Sequence, residues 1–264
     1  MKQKFRHARD YVDSLTSSGR YHFTSGDAKA ALSASPDAVK LALNRLGKQD
    51  LIATPSRGFY VIVPPEYKSL GCLPADQFIP QLMAHLRLPY YAGLLTAAQY
   101  YGAAHQRPQE FQVFTEKSRR PIKCGNVRVN FIARKQTKAV ATKPFNTPRG
   151  ALMVSTPEAT AIDLAGYPDH TGGLEQSATV ISELAEQLDP DKLVLAAQTA
   201  PVPWAQRLGY LLSLGGGYEI TGPLQEYVRQ NAREYVPLAL YGEKDGPRDK
   251  AWKLAINEEV EPEF

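Results

Sequence analysis

The polar face of residues 36–48 carries side chains suited to recognition chemistry. Because each residue of a helix rotates by about 100°, a helix here places Asp37, Leu41 and Asn44 opposite its apolar stripe. An asparagine can form paired hydrogen bonds with adenine, a carboxylate can accept from the amino group of cytosine, and a leucine can contact the thymine methyl group. The segment therefore has the composition of a helix that contacts base edges in the major groove of DNA.

Basic residues flank this face. Lys40, Arg45 and Lys48 lie at its sides, where cations contact phosphates and position a protein without specifying sequence. Ser35 is a favourable N-cap before Pro36 and is included among the candidate DNA contacts. The alternative is an ordinary solvated face, which every surface helix has. An exposed Leu41 beside groove-competent side chains favours DNA contact.

Two shorter basic features have open alternatives. Arg57 follows Pro55-Ser56 in a predicted turn, where it either contacts the minor groove or a phosphate, or is simply a solvated turn residue. Lys4 and Arg6 form either a basic arm that contacts phosphates or an ordinary frayed terminus. We include all three among the candidate DNA-binding residues.

A basic segment at residues 116–138 alternates cations with apolar strand residues. An alternation of period two predicts a sheet with one cationic face. Arg119, Arg120, Lys123 and Arg128 are its candidate contacts with DNA or with an acidic partner. The alternative is the basic solvent-exposed side of an antiparallel sheet.

The elements that position these residues form a compact pattern near the amino terminus. Apolar residues at helical spacing predict helices over Phe5–Leu15 and Pro36–Lys48, with a short helix between them that follows a Thr24/Asp27 capping box. A hairpin follows, with strands at Leu51–Thr54 and Phe59–Val63. Three helices and a hairpin are typical of a winged helix-turn-helix, which we place at residues 1–68.

Residues 69–264 are predicted to form a second domain of mixed helices and strands, so the fold class is α+β. Its predicted elements end in an acidic tail, EEVEPEF. The helices are predicted at Phe78–Arg87, Tyr90–Gly102, Thr156–Leu164, Leu174–Leu188, Pro190–Gln198, Trp204–Leu214 and Pro223–Arg233. The strands are predicted at Phe111–Thr115, Val127–Arg134, Leu152–Ser155 and Ala251–Ile256.

Charge is unevenly distributed along the 264 residues. The net charge is +4, but residues 1–68 carry +5, residues 69–150 carry +9 and residues 151–264 carry −10. A basic first half suggests contact with a polyanion. No run of 18 apolar residues and no apolar leader segment occur, so we expect a cytoplasmic protein without membrane contact. Cys72 and Cys124 are the only cysteines, which fits a reducing compartment.

Catalytic patterns are poorly supported. The five histidines lie far apart in sequence, and no metal-binding spacing occurs. Glu158 and Asp163 are five residues apart, which separates them by about 140° on a helix, so they do not form a metal-binding pair. Asp163 is instead predicted to be a buried acceptor, and Glu158 to favour a helix start. The residues therefore predict no catalytic centre, no cofactor and no metal, and the family resemblance described next implies no enzymatic activity.

Three strings carry a family resemblance: PYYAGLLTAAQYYGAAHQRPQEFQVFTEK, VSTPEATAIDLAGY and RDKAWKLAINEEVEPEF. After a predicted winged helix, they resemble the AbiEi antitoxins of type IV bacterial toxin–antitoxin systems, known as abortive infection systems. The resemblance implies an amino-terminal domain that binds inverted repeats in its own promoter and represses it. It also implies a second domain that counters a neighbouring nucleotidyltransferase-like toxin without a stable complex. Dimerisation on adjacent DNA half-sites remains open.

Two other classes of protein remain as alternatives. One is a winged-helix transcription factor whose second domain senses a small molecule, with Tyr90, Tyr91, Tyr100 and Tyr101 lining the pocket, although tyrosines at helical spacing more often lie in a core. The other is a nucleic-acid-processing enzyme targeted by a winged helix, which the absence of a carboxylate cluster disfavours.

Overall fold

The structure is a computed structural model that describes residues 4–103, 108–216, 218–241 and 243–261. The chain divides into two compact units. The first comprises Met1–Tyr90, Gln109–Ala133 and Pro144–Met153, and the second comprises Tyr91–Pro108, Arg134–Lys143 and Val154–Phe264. Both contain helices and strands, which confirms the α+β class. Within the described ranges, no helix has the length and apolar character that a membrane crossing requires.

Helices and strands are numbered here in chain order. The helices are α1 (Ala8–Ser17), α2 (Ser25–Ala31), α3 (Pro36–Lys48), α4 (Ile79–Leu86), α5 (Leu94–Tyr100), α6 (Pro157–Gly166), α7 (Leu174–Leu184), α8 (Pro190–Gln198), α9 (Val202–Leu214) and α10 (Tyr218–Asn231). The strands are β1 (His22–Thr24), β2 (Ile52–Ser56), β3 (Phe59–Ile62), β4 (Tyr91–Ala92), β5 (Phe111–Thr115), β6 (Ile122–Cys124), β7 (Val127–Ala133), β8 (Thr142–Thr147), β9 (Gly150–Ser155), β10 (Val236–Pro237), β11 (Arg248–Asp249) and β12 (Leu254–Ala255).

Helices α1 to α3 and the antiparallel sheet β1-β3-β2 share one apolar core, in which Phe23, Leu43 and Ile62 are buried. The predicted capping box starts α2, because the Asp27 N–H donates to Thr24 Oγ1 and the Thr24 N–H donates to Asp27 Oδ2. These two hydrogen bonds satisfy donors that a helix start leaves free. The three predicted helices and the predicted hairpin are all present.

The hairpin β2–β3 reverses more tightly than the sequence predicts. Strand β2 continues through Pro55 to Ser56, and only Arg57 and Gly58 connect it to β3. The placement of Pro55 in the turn is therefore wrong. Proline is tolerated in this strand because the pairing of β2 with β3 is irregular between Ala53 and Ser56, so its missing N–H removes no regular ladder bond.

The remainder of the first unit contains α4 and a sheet segment in which β7 is central. Strand β7 pairs parallel with β5 and antiparallel with β6, and Lys123 lies opposite Arg128 in the second register. Strands β8 and β9 are hydrogen-bonded neighbours. Short 3-10 helices at Pro65–Tyr67 and Ala75–Gln77 connect the hairpin to α4.

Helix α6 is the centre of the second unit. All ten of its residues are buried, and it packs against α5, α7, α8 and α9. Thr156 caps it by accepting from the Ala159 N–H, and Pro157 occupies its first position, where no N–H is needed. Beside it, β4 pairs parallel with β9 through Ala92 and Val154.

The carboxyl-terminal segment adds a small sheet in the order β10-β12-β11. Trp252 is almost fully buried, and Gln206 on α9 donates to the Trp252 and Lys253 carbonyls. These hydrogen bonds join helix α9 to the last strands. Residues 262–264 of the predicted acidic tail lie outside the described residues, as do residues 104–107 of the tyrosine-rich segment.

Several element boundaries differ from the prediction. The helix predicted at Tyr90–Gly102 begins only at Leu94, because Tyr91–Ala92 pairs with a distant strand. Helix α10 begins at Tyr218 and contains Pro223, although proline was expected at its start. Strands β1, β6 and β8 were not predicted, since short strands are defined by partners far away in sequence.

Candidate nucleic-acid interface

Helix α3 presents the predicted polar face to solvent. Val39, Leu43 and Leu46 are buried on one side, while Asp37 and Asn44 are exposed on the other. Leu41 is 57% exposed on the same polar side of the helix. The buried and exposed sides of α3 are thus the ones that the sequence predicts.

The flanking cations of α3 are also exposed. Lys40, Arg45 and Lys48 form no ion pair with any carboxylate of the described residues. Their positive charges are therefore available to an external anion. Ser35 is exposed, but its hydroxyl accepts from the Ala38 N–H at 3.3 Å, so its first role is to cap α3.

The amino-terminal segment lies beside the connection that leads into α3. The Phe5 N–H donates to the Ala31 carbonyl at 2.9 Å, and the Ser33 N–H donates to the Phe5 carbonyl at 3.1 Å. These bonds fix the exposed Lys4 and Arg6 next to residues 31–33. The backbone on both sides of Phe5 is therefore tied down rather than frayed.

The hairpin turn is anchored as well. The Ser25 N–H at the start of α2 donates to the Gly58 carbonyl at 2.8 Å. Gly58 has a φ of +79°, a conformation that favours glycine. The Arg57 side chain is exposed at this anchored tip.

The basic sheet segment has the predicted alternation. Lys123 and Arg128 pair directly in the register, whereas Ile122 and Val129 pair as buried neighbours. Lys123 is exposed and Arg128 is half-buried, with Nη1 donating to the Gly125 carbonyl at 2.7 Å. One face of this segment is therefore cationic.

Arg119 and Arg120 precede β6 in the connection from β5. Arg120 is exposed, and Arg119 is half-buried with its guanidinium 5.8 Å from the centre of the Phe131 ring. Arg134, which belongs to the same basic stretch of sequence, is buried in the second unit and contributes nothing to this surface.

A charged cluster stabilises the start of α2. The Arg20 guanidinium donates to Asp27 Oδ2 at 2.9 Å. Burial raises the pKa of Asp27, but the Thr24 hydrogen bonds and the Arg20 charge outweigh it, so the pKa lies below its usual value. Burial and the neighbouring Arg20 charge lower the pKa of His22, while Asp27 partly opposes them. His22 therefore favours its neutral form.

The second unit contains a buried polar cluster. Asp163 is fully buried and accepts from Tyr91 Oη at 2.7 Å and from Arg134 Nε at 2.8 Å. Burial raises the pKa of Asp163 to about 6, although Arg134 and Tyr91 oppose the rise. The carboxylate is paired with Arg134, whose positive charge favours its ionised form. The prediction that Asp163 is a buried acceptor is confirmed.

Aromatic side chains complete this cluster. The Arg134 guanidinium lies 5.6 Å from the centre of the Trp204 ring, and Tyr167 packs edge-on against the same ring at 4.8 Å. Arg134 also donates to Thr199 Oγ1 at 3.3 Å. Burial, followed by the Asp163 charge, raises the pKa of Tyr167 to about 12. These contacts hold helices of the second unit together.

The sequence reasoning missed Arg134 and Tyr91 as partners of Asp163. The only available signal was that Asp163 lies between Ile162 and Leu164, since a buried carboxylate requires a partner. Nothing in the spacing of Arg134 or Tyr91 identifies them. Glu158 is also buried and accepts from the Asp189 N–H at 3.3 Å, in addition to its place in the first turn of α6.

Of the four tyrosines that could line a ligand pocket, only Tyr91 is buried, while Tyr90, Tyr100 and Tyr101 are half-buried. Tyr91 is fully buried against Asp163, and Tyr101 Oη donates to the Ser155 carbonyl at 2.6 Å. The interpretation as a core residue is therefore confirmed for Tyr91. Among the residues that the structure describes, no group of histidine, cysteine and carboxylate side chains is arranged to hold a metal ion.

A comparison with protein families identifies the class of domain that contains the buried cluster. Residues 91–214, which include the Tyr91–Asp163–Arg134 cluster and α6, match the family model of the AbiEi antitoxin C-terminal domain. The chain thus carries an AbiEi-type antitoxin domain, and the resemblance found in the sequence is confirmed. The AbiEi antitoxins are not a known family of enzymes.

Solved structures extend the comparison to the fold. The crystal structure of the RV2827C protein from Mycobacterium tuberculosis superposes with a TM-score of 0.67 at 17% identity, and covers 96% of this chain and 92% of that one. The two proteins share a fold. The solution structure of the antibiotic-resistance factor ANT(2'')-Ia has a TM-score of 0.32 at 11% identity, with 46% and 86% coverage, and does not bear on the fold. No curated protein matches the sequence.

Proposed function

We propose that this protein is the antitoxin and transcriptional autorepressor of a type IV toxin–antitoxin operon. The AbiEi-type domain supports the antitoxin role. The observation that carries the DNA-binding role is the exposed face of α3, on which Leu41 is 57% exposed beside Asn44 and exposed cations.

The order of elements supports a winged helix-turn-helix. Helices α2 and α3 follow each other closely, and the hairpin β2–β3 joins β1 in a three-stranded sheet. In such a domain the second helix of the pair enters the major groove. We assign this DNA-binding domain to residues 1–68 and the antitoxin domain to residues 69–264.

The side chains of the proposed interface have distinct roles. Asn44, Asp37 and Leu41 contact base edges, and the cations of α3 contact phosphates. Arg57 contacts the minor groove or a phosphate at the hairpin tip. The remaining cations extend the phosphate contacts along the duplex, and they are Lys4, Arg6, Arg119, Arg120, Lys123 and Arg128.

The partners follow from the family resemblance. The duplex is the chain's own promoter, with inverted repeats that two copies of the protein occupy. The toxin is a nucleotidyltransferase-like protein encoded beside the antitoxin, which is opposed without a stable complex. The protein needs no cofactor for either role, has no enzymatic activity of its own, and acts in the cytoplasm, where both partners are found.

A growth assay tests both roles in the full chain. The protein is expressed from an unrelated promoter together with the product of the neighbouring gene, and a reporter is fused to the upstream region. We expect the native chain to restore growth and repress the reporter. The triple variant Lys40→Ala/Asn44→Ala/Arg45→Ala should restore growth but lose repression, because its changes lie only on the exposed face of α3.

The control is Asn146→Ala, an exposed asparagine on β8 outside the proposed interface. It should behave as the native chain in both readouts. A native chain that leaves growth inhibited would overturn the antitoxin role. A reporter that stays active with the native chain would overturn the autorepressor role.

A further inference from the structure

A pocket of about 380 Å³ lies within the first unit, beside the end of β2. Its walls come from α4, from Pro55 and Ser56, and from the connection between β5 and β6. Pockets of about 300–1,000 Å³ are typical of sites for small molecules. Neither the antitoxin role nor the proposed contacts of α3 with DNA use this cavity.

The floor of the pocket is apolar. Leu82 and Leu86 of α4 line it together with Ile122 and Phe131 of the adjacent strands. Leu82, Ile122 and Phe131 are buried beneath the floor, and half-buried Leu86 presents its accessible apolar surface. Such a surface accepts a flat apolar group.

The rim of the pocket is cationic. Arg119 and Arg120 are adjacent in sequence and line it with Ser118. Neither arginine forms a salt bridge in the part of the chain that the structure describes. Two uncompensated guanidinium groups over a low-dielectric floor concentrate positive potential in the cavity, and guanidinium groups bind carboxylate or phosphate oxygens in pairs.

We propose that this pocket binds a small organic anion composed of a planar ring and a carboxylate or phosphate group. The ring packs on Leu86 at the accessible part of the apolar floor, and the oxyanion is bound by Arg119 and Arg120. The apolar floor selects against inorganic phosphate, which has no ring. The paired arginines select against a neutral ring, which has no charge.

A bound anion would also regulate the proposed function. This consequence rests on the proposal that Arg119 and Arg120 contact operator phosphates. An anion in the pocket neutralises the same two side chains and lies beside Ser56, the residue before Arg57 of the hairpin tip. The anion and the operator therefore compete for the protein.

Binding is measured first without DNA, by titration calorimetry on the full chain. The probes are indole-3-carboxylate, adenosine monophosphate, inorganic phosphate and neutral indole. We expect one or both ring-bearing anions to bind at least tenfold more tightly than inorganic phosphate and indole. Binding of indole-3-carboxylate alone assigns the site to carboxylates, and binding of the nucleotide alone assigns it to phosphate esters.

The variant Arg119→Gln/Arg120→Gln should weaken this binding at least tenfold. Both side chains are partly or fully exposed, so the variant is expected to fold, and its melting temperature checks this. Lys68→Gln is the matched control, because it removes an exposed cation of the same unit that does not line the pocket. The control should bind as the native chain.

Operator binding is then measured with and without a saturating ring-bearing anion. The competition predicts that the slope of log K for operator association against log salt concentration flattens by about two units, one for each lost phosphate contact.

If neither ring-bearing anion binds, or if neutral indole binds equally well, the inference is wrong even when the operator is bound. If the anion binds but operator binding is absent, anion binding by the pocket is supported and the proposed DNA-binding function is wrong. Operator affinity unchanged by a bound anion would contradict the competition.

Discussion

Arg134 Nε lies 2.8 Å from Asp163 Oδ1, and both side chains are almost fully buried in the second unit. The pair joins the segment after β7 to the buried helix α6. A buried ion pair adds little stability relative to an apolar pair, but the loss of one partner leaves an uncompensated buried charge. The pair therefore fixes how α6 packs against the segment after β7.

Removal of one partner of this pair should be costly. Asp163→Asn or Arg134→Met should each lower the free energy of unfolding by about 3–5 kcal/mol. The double variant should lose less than the sum of the two single losses, because no unpaired charge remains. Urea denaturation measures the three values.

Asp169→Asn is the control for this cycle, because Asp169 is exposed and outside the cluster. Its effect should stay within about 0.5 kcal/mol. Additive losses in the double variant would show that Arg134 and Asp163 do not interact energetically.

Two glycines of the second unit provide space for tryptophan rings. A Cβ atom at Gly166 would overlap the Trp204 ring, and one at Gly209 would overlap the Trp252 ring. Gly166→Ala and Gly209→Ala should each lower the free energy of unfolding by about 1–3 kcal/mol through overpacking. Thermal unfolding monitored by tryptophan fluorescence measures the change.

Gly47 on α3 is the control, because a Cβ atom there would meet only the Ile52 carbonyl, at an ordinary 3.9 Å. Gly47→Ala should be neutral or stabilising, since alanine is favoured over glycine in a helix by about 1 kcal/mol. Equal losses in all three variants would contradict the role of the tryptophan contacts.

The basic sheet segment is tested separately from the pocket. If Lys123 and Arg128 contact phosphates, Lys123→Gln and Arg128→Gln should each flatten the salt dependence of operator binding by about one unit. Fluorescence anisotropy at several salt concentrations measures the slope. A slope equal to that of the native chain in both variants removes these residues from the footprint.

Protonation of His22 should destabilise the first unit. Its pKa in the folded state lies below 6.5, because the ring is half-buried, beside Arg20 and stacked on Phe59. A lowered histidine pKa contributes stability that is present above pH 6.5 and is lost as the pH falls through the folded value. The free energy of unfolding should therefore fall between pH 7 and pH 5 by more than it does in His22→Gln.

Nuclear magnetic resonance titration of the His22 ring gives its folded pKa directly. A value at or above 6.5, or the same pH dependence of stability in His22→Gln, would contradict this prediction.

The sequence predicts the elements whose signals are local. Ser35 and Pro36 mark the start of α3, and the spacing of its apolar residues identifies the exposed side that holds Leu41. The capping box at Thr24 and Asp27 is equally local. These features depend on residues three or four positions apart, which the linear sequence contains.

The missed features depend on distant partners. Strand β4 has only two residues, and its pairing with β9 requires residues about sixty positions away. Arg134 and Tyr91 acquire their roles only through Asp163, which no periodic pattern connects to them. Pro55 lies in a strand because the β2–β3 pairing is irregular at that point. Tertiary packing decides each of these cases.

The central claim is that the exposed face of α3 recognises a specific DNA sequence. Its most direct test is fluorescence anisotropy of the full chain with the duplex upstream of its gene and with a random duplex, at about 150 mM salt. The account predicts at least a thousandfold preference for the upstream duplex, within the range typical of specific binding. It also predicts a loss of about 1–3 kcal/mol of discrimination in Asn44→Ala but not in Asn146→Ala. Equal affinity for both duplexes, or a preference that Asn44→Ala leaves intact, would contradict it.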